Sequence, residues 1–86
     1  IEISRYNKEG TTLLIYPQPF VSELIVESNR LVIQVKLIDQ TGKYILQLDE
    51  VLNRKIKLDM RAIPTGLYFL KIKTSDGYQF QKLIKQ

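Results

Sequence analysis

Apolar and polar residues alternate along most of this chain, in short segments that turn-forming residues separate. In residues 55–60, for example, Ile56, Leu58 and Met60 fall on one face of an extended backbone. A period of two is typical of a strand with one buried face, and no segment shows the 3.6-residue period of a helix. Seven such segments at spacings of roughly 8 to 12 residues predict an all-β sandwich, with a small β-barrel as the alternative. The predicted strands are residues 11–16, 23–27, 31–38, 43–48, 55–60, 68–74 and 78–85.

A sharp turn leads directly into the most regular of these segments. Pro64 fixes its own φ angle and Gly66 allows a positive φ angle, so the backbone bends before the strand begins. Tyr68 follows at the start of the strand. This is the position of the tyrosine corner of immunoglobulin-like sandwiches, in which a buried tyrosine hydroxyl bonds the backbone upstream. The core face of this strand is predicted to carry Tyr68, Leu70 and Ile72, and the opposite face Phe69, Lys71 and Lys73.

Turn-forming residues set the other strand boundaries. Pro17 and Pro19 end the first strand of the domain, because proline cannot donate to a β-ladder. Ser28–Arg30 is predicted to be a turn between two separate strands, and Asp39–Gly42 a reverse turn in which the aspartate caps the backbone. The Asp76-Gly77 pair favours a tight hairpin turn, so the last two strands are expected to pair antiparallel.

The two ends of the chain are less regular. Residues 1–10 are interpreted as a linker or leader with a possible short strand, and residues 11–86 as the folded domain. In the last strand, continuing by twos from Phe80 places Leu83 on the opposite face. Either a bulge near Gln81 or a strand that is partly covered on both faces at its end accounts for this pattern.

The chain has no cysteine and no histidine, which makes hydrolytic chemistry hard to build. Thiol nucleophiles, imidazole bases, catalytic triads and Cys/His zinc sites are all excluded. With 86 residues the chain forms one domain with a modest core, so any function is expected on its surface. The acidic residues fall mostly in or beside turns, where carboxylates usually serve as caps. We therefore expect no enzymatic activity, no metal and no cofactor.

The net charge of +4 is unevenly distributed. Residues 1–43 carry five basic and five acidic side chains, whereas residues 44–86 carry eight and four. This excess of lysine suits an acidic partner, or it protects an edge strand from pairing with another chain. No apolar run approaches the roughly 18 to 20 residues that a membrane-spanning helix needs, so we expect no direct membrane insertion.

Two further surface functions are weaker interpretations. Nucleic-acid binding needs basic residues interleaved with aromatic residues on one face, but a net charge of only +4 leads us to expect no nucleic acid as a partner. The residues that imitate such a face are Phe69, Lys71, Lys73, Phe80 and Lys82. Sugar binding needs exposed aromatic platforms, for which membership of the core is the competing interpretation. The candidate platforms are Tyr16, Phe20, Tyr44 and Phe69.

Four blocks of the chain carry motifs in a fixed order. Ile15–Phe20 contains Tyr-Pro-Gln-Pro, and Val35–Lys43 ends in Asp-Gln-Thr-Gly-Lys. Leu58–Tyr68 ends in Ile-Pro-Thr-Gly-Leu-Tyr, and Lys82–Gln86 is a basic closing block. In this order and spacing, Leu14–Gln86 resembles the type A C-terminal sorting domain of cargo proteins of the type IX secretion system of Bacteroidetes. The family has Asn where this chain has Gln in the first block, and Leu where it has Ile in the third.

The resemblance implies an immunoglobulin-like antiparallel β-sandwich of about seven strands that acts as a secretion and sorting signal. Cargo of this family enters the periplasm by a signal peptide, and the domain then directs it through the outer membrane to the cell surface or the medium. A sortase usually removes the domain and attaches the cargo to the surface. The implied partners are the outer-membrane translocon, shuttle and sortase proteins. The alternative is an accessory β-sandwich that packs on a catalytic domain or binds glycan.

The matching blocks also mark residues for partner recognition. A folded tag needs a rigid surface, and turns that glycine and proline hold provide one at low ordering cost. Glycine, proline and Tyr68 are expected to shape this surface, whereas the lysines and the terminal carboxylate are expected to contact the partner. The predicted recognition residues are Thr41, Gly42, Lys43, Pro64, Gly66, Tyr68, Lys82, Lys85 and Gln86.

Overall fold

The computed structural model describes residues 3–8 and 10–86. This part of the chain consists of β-strands and their connections and contains no helix, which confirms the all-β prediction. It therefore holds no helix long and apolar enough to cross a membrane. The strands are β1 (Ser4–Lys8), β2 (Thr11–Tyr16), β3 (Glu23–Asp39), β4 (Tyr44–Leu48), β5 (Asn53–Asp59), β6 (Gly66–Thr74) and β7 (Gly77–Lys85).

Strand β3 connects the two layers of the fold. Its 17 residues would span about 56 Å if they were straight, so the strand must bend in a molecule whose longest dimension is 32 Å. Residues 23–28 pair with β2 and β5, whereas residues 34–39 pair with β4 and β6. The first layer is thus β1-β2-β3-β5 and the second is β4-β3-β6-β7, which together form an antiparallel sandwich.

The turn predicted at Ser28–Arg30 is wrong, because β3 is continuous there. The chain does change direction at this point. The register against β5 advances by five positions on β3 but by only two on β5, and extra residues in one strand bend it without ending it. Two predicted strands are therefore one, so six strands stand where seven were predicted in residues 11–86.

Strand β1 lies within the segment interpreted as a leader. Its five residues pair antiparallel with β2, from Ser4 opposite Ile15 to Lys8 opposite Thr11. The described part of this segment is thus an edge strand of the first layer. A linker role for residues 1–10 stays a prediction, and residues 1, 2 and 9 lie outside the described part of the chain.

The core lies between the two layers, where the inward residues of the strands meet. In β6, Tyr68, Leu70 and Ile72 are buried while Phe69 is 36% exposed, as the alternation predicts. Two residues outside the strands, Phe20 and Met60, complete this core. The other fully buried apolar side chains are Leu13, Ile15, Leu24, Val26, Val32, Val35, Leu37 and Leu83.

Strand β7 is regular throughout. It pairs with β6 in one unbroken register from Gly66 opposite Lys85 to Thr74 opposite Gly77, so the bulge considered near Gln81 is wrong. The strand instead carries apolar residues on both faces. Leu83 is fully buried on the inner face, whereas Tyr78, Phe80 and Ile84 on the outer face are 40%, 62% and 48% exposed.

Candidate recognition surface

The described surface includes a groove but no cluster of metal-ligating side chains. Within residues 3–8 and 10–86, no three acidic, histidine or cysteine side chains come together in a way that could hold a metal ion. A mostly apolar groove of about 510 Å³ lies beside the Pro17–Pro19 corner, where both prolines follow cis peptide bonds. Tyr16, Val21 and Ile25 line part of this groove. Such a surface is suited to contact with a partner.

Three of the predicted recognition segments meet at one end of the second layer. Asp39 pairs with Tyr68, and Tyr68 pairs in turn with Leu83. Gly66 pairs with Lys85 at the start of the same hairpin. We call this the recognition end, and it comprises the turn 40–43, the corner Pro64–Gly66 and the segment Lys82–Gln86. The pairing of β3, β6 and β7 thus brings together residues that are distant in the sequence.

Asp39 holds the turn at the recognition end. One oxygen of its carboxylate accepts hydrogen bonds from the Thr41 hydroxyl (2.6 Å), the Thr41 amide (2.9 Å) and the Lys43 amide (3.0 Å). The bond from the Thr41 hydroxyl is the main reason that the pKa of Asp39 lies below its ordinary value. Gly42 has a φ angle of 90°, which side chains disfavour. The turn is thus fixed from within, and Lys43 is exposed.

The corner before β6 has the geometry that the sequence predicts. The Tyr68 hydroxyl donates a hydrogen bond of 2.6 Å to the Pro64 carbonyl oxygen, and Tyr68 is only 5% exposed. Gly66 has a φ angle of 152°, so the bend depends on a residue without a side chain. This is the tyrosine corner of a β-sandwich. Tyr68 thus acts from inside the fold, while Pro64 is exposed.

The last residues of the chain are tied to Phe20. The Phe20 amide donates to the Ile84 carbonyl oxygen (3.1 Å), and the Gln86 amide donates to the Phe20 carbonyl oxygen (2.9 Å). Lys85 is only 8% exposed, and its ammonium group donates to the Gln86 main-chain oxygen at 3.3 Å. Lys82 and Gln86 are exposed. Of the predicted contact residues in this segment, these two are the accessible ones.

The outer face of the first layer pairs its own charges. Lys57 lies 3.1 Å from Glu23, and Lys55 lies 3.4 Å from Glu27. The Tyr16 hydroxyl also donates to Glu27 at 2.7 Å, and this bond, with help from Lys55, lowers the pKa of Glu27. We call these residues, together with the ion pair of Asp59 and Arg61, the ion-paired face. Because these charges are paired with one another, the ion-paired face has little uncompensated charge with which to bind a partner.

Burial decides which aromatic residues can serve as sugar platforms. Phe20 is fully buried, so the platform interpretation is wrong for this residue. Tyr16 is used in the bond to Glu27, while Tyr44 and Phe69 are 51% and 36% exposed. The role of Phe20 in holding the last residues is not evident from the sequence. The one available signal was its place directly after the Pro17–Pro19 corner.

Comparison with known proteins agrees with the fold and points to one family. The model of a family described as "Secretion system C-terminal sorting domain" matches residues 14–86. A solved DUF3244 family protein with an immunoglobulin-like β-sandwich fold from Bacteroides vulgatus is similar, with a TM-score of 0.59 and 18% identity. The match covers 80% of this chain and 83% of that chain, and it confirms the immunoglobulin-like fold. No match was found among curated proteins.

Proposed function

Because this chain belongs to the family of secretion system C-terminal sorting domains, we propose that its recognition end is the surface that the type IX export machinery reads. The domain is a sorting signal for export across the outer membrane, and it acts through binding to the machinery. Its partners in this proposal are the translocon, a shuttle protein and a sortase. The sortase removes the domain and attaches the cargo to the cell surface.

The convergence of three separate segments at one end is the observation that supports this proposal. Each segment is held in place from within: the turn by Asp39, the corner by Tyr68 and the last residues by Phe20. A partner that binds such a surface does not have to order it first, which lowers the free-energy cost of binding. A sorting signal that many cargo proteins share benefits from this rigidity.

The exposed lysines of the recognition end are the residues to test. The whole chain, fused behind a periplasmic reporter, is expected to carry the reporter to the surface of a cell with a type IX system. Lys43→Ala with Lys82→Ala is expected to leave most of the reporter in the periplasm, because both lysines are exposed contact candidates. Fractionation of the cells measures this distribution.

A matched control removes the same charge elsewhere. Lys55→Ala with Lys57→Ala lies on the ion-paired face and is expected to leave export unchanged. Deleting Lys82–Gln86 is a poorer experiment, because it also removes the buried Leu83 and the hydrogen bonds to Phe20. Retention of the unmodified fusion in the periplasm would contradict the sorting function itself. Normal export of the Lys43/Lys82 variant would contradict only the recognition role of those lysines.

A further inference from the structure

The outer face of the second layer carries lysine and aromatic side chains in a regular array. Strand pairing places Lys71 between Lys36 on β3 and Phe80 on β7. It likewise places Lys73 opposite Tyr78. We call this surface the lysine–aromatic face, and it comprises Lys36, Tyr44, Phe69, Lys71, Lys73, Tyr78, Phe80 and Lys82. These side chains come from four strands, β3, β4, β6 and β7.

Aromatic rings hold the ammonium groups on this face. The Lys71 Nζ atom lies 4.3 Å from the centre of the Tyr78 ring and 5.4 Å from the centre of the Phe80 ring. The Lys73 Nζ atom lies 5.5 Å from the Tyr78 ring centre, and the Lys36 Nζ atom 5.0 Å from that of Tyr44. These distances fall within the range of cation–π attraction. The rings therefore restrict the lysine rotamers before any partner arrives.

The lysines of this face form no close ion pairs within residues 3–8 and 10–86. Among the residues that the structure describes, no carboxylate forms an ion pair with Lys36, Lys71, Lys73 or Lys82. Asp49, which follows β4, accepts hydrogen bonds from Gln34 at 2.6 Å and from Gln47 at 3.1 Å, and it interacts electrostatically with Lys36 without forming an ion pair. The positive charges of Lys71, Lys73 and Lys82 are thus available to an external group.

Protection of a sheet edge does not explain Lys71 and Lys73. Lys71 and Lys73 belong to β6, which pairs with β3 on one side and β7 on the other, so β6 has no free edge to protect. Two lysines, Lys36 and Lys71, even lie directly opposite each other, an arrangement that destabilises a sheet. An external negative charge that binds here would relieve this repulsion.

We propose that the lysine–aromatic face docks onto an acidic protein surface of the export machinery, an inference that rests on the proposed function. Carboxylates complement ammonium groups that are already positioned, and Phe80, which is 62% exposed, offers an apolar anchor beside them. Single-stranded nucleic acid fits less well. Its bases stack on ring faces, and here Lys71 already lies over Tyr78 and Phe80.

Photo-crosslinking in the exported fusion tests this proposal. A benzophenone-bearing amino acid replaces Phe80 in one fusion and Leu52 in a control, because both side chains are 62% exposed and Leu52 lies in the loop before β5. The Phe80 position is expected to crosslink to one component of the export machinery through a peptide rich in Asp and Glu. The Leu52 position is expected not to crosslink to that component.

Charge variants show whether the crosslink depends on the lysines. Lys71→Gln with Lys73→Gln is expected to lower the crosslink yield about tenfold, the effect of losing two exposed charge pairs. Lys55→Gln with Lys57→Gln removes the same charge from the ion-paired face and is expected to leave the yield unchanged. Lys71→Arg with Lys73→Arg keeps the charge and is expected to retain the crosslink. A lower yield in the glutamine variant is then attributed to the lost charge and not to lost folding.

Several results would overturn the inference. These are equal crosslinking from Phe80 and Leu52, crosslinks only to lipid, glycan or nucleic acid, and a crosslink that survives the Lys71/Lys73 glutamine variant. If the unmodified fusion is exported in any of these cases, the sorting function stands and only this docking surface is rejected. If the unmodified fusion is not exported, both proposals fail.

Discussion

The two outer faces of the sandwich handle exposed charge in opposite ways. On the ion-paired face, Lys57 and Lys55 of β5 lie beside Glu23 and Glu27 of β3. On the lysine–aromatic face, strand pairing places lysine opposite lysine or opposite an aromatic ring. The same strand, β3, contributes its first half to one face and its second half to the other. The difference therefore lies in the side chains, because the backbone of both layers is similar.

The comparison indicates which of the two faces is suited to bind a partner. Opposite charges across strands stabilise a sheet modestly, whereas like charges directly opposite destabilise it. The ion-paired face follows the stabilising pattern, so its charges are already compensated within the sheet. The lysine–aromatic face departs from that pattern, and we interpret the departure as the consequence of a binding function. Three measurements test whether this contrast holds.

The largest expected effect is a difference in the free energy of unfolding between two variants of β7, one in the core and one on the lysine–aromatic face. Leu83→Ala is expected to lower the free energy of unfolding by about 3 kcal/mol, because this fully buried side chain leaves a cavity. Phe80→Thr, three residues earlier, is expected to cost less than about 0.5 kcal/mol, since Phe80 lies on the exposed face. Urea denaturation measures both values. Equal losses would mean that Phe80 supports the fold and is not kept for a partner.

A smaller effect compares the salt dependence of the two faces. Lys55→Gln with Lys57→Gln is expected to lower the melting temperature by about 3 °C at low salt, because two ion pairs are lost. Added salt screens those pairs, so the loss should shrink. Lys71→Gln with Lys73→Gln relieves repulsion that salt also screens, so its salt dependence should have the opposite sign. Scanning calorimetry in low and high salt measures how each change in melting temperature depends on salt. The same sign for both double variants would contradict the proposed difference between the two faces.

The smallest expected effect concerns acid. Arg61 donates hydrogen bonds to Asp59 and lowers the pKa of this carboxyl from 3.8 to about 2. Because the folded pKa is the lower one, the pair contributes stability that is present above pH 3.8 and is lost as the pH falls towards 2. Both side chains are largely exposed, so the contribution is small.

The Asp59→Asn variant isolates this contribution. Its melting temperature is expected to lie slightly below that of the parent at pH 5, and the difference is expected to narrow as the pH falls through 2. Lys71→Gln, on the lysine–aromatic face, leaves the pair of Asp59 and Arg61 in place and should leave the parent's acid profile unchanged. A difference between parent and Asp59→Asn that is as large at pH 2 as at pH 5 would show that the pair does not act through the charge of Asp59.

Local sequence signals predicted much of the fold. The alternation in β6 and the Pro64–Tyr68 corner depend on neighbouring residues, so the buried face and the bond from Tyr68 to Pro64 could be inferred without knowledge of the partner strands. The turn after Asp39 was predictable for the same reason, since its hydrogen bonds span four residues. Each of these features is complete within one short segment.

Features that depend on distant parts of the chain were not predictable. Ser28–Arg30 has the composition of a turn, and only the pairing of β3 with distant strands before and after this segment shows that the strand continues through it. The bridge between Lys85 and the distant Phe20 likewise depends on the tertiary fold. The full lysine–aromatic face requires Lys36 to lie beside Lys71, and nothing in either segment specifies this register.

The attachment of the last residues to Phe20 also makes the whole sandwich depend on the short segment at the end of β7. A chain that stops before residue 83 leaves the place of Leu83 in the core empty and lacks the hydrogen bonds to Phe20. The sandwich is therefore complete only in a chain that carries residues 83–86. Premature termination of translation is thus expected to yield a product without the folded surface at this end of the second layer.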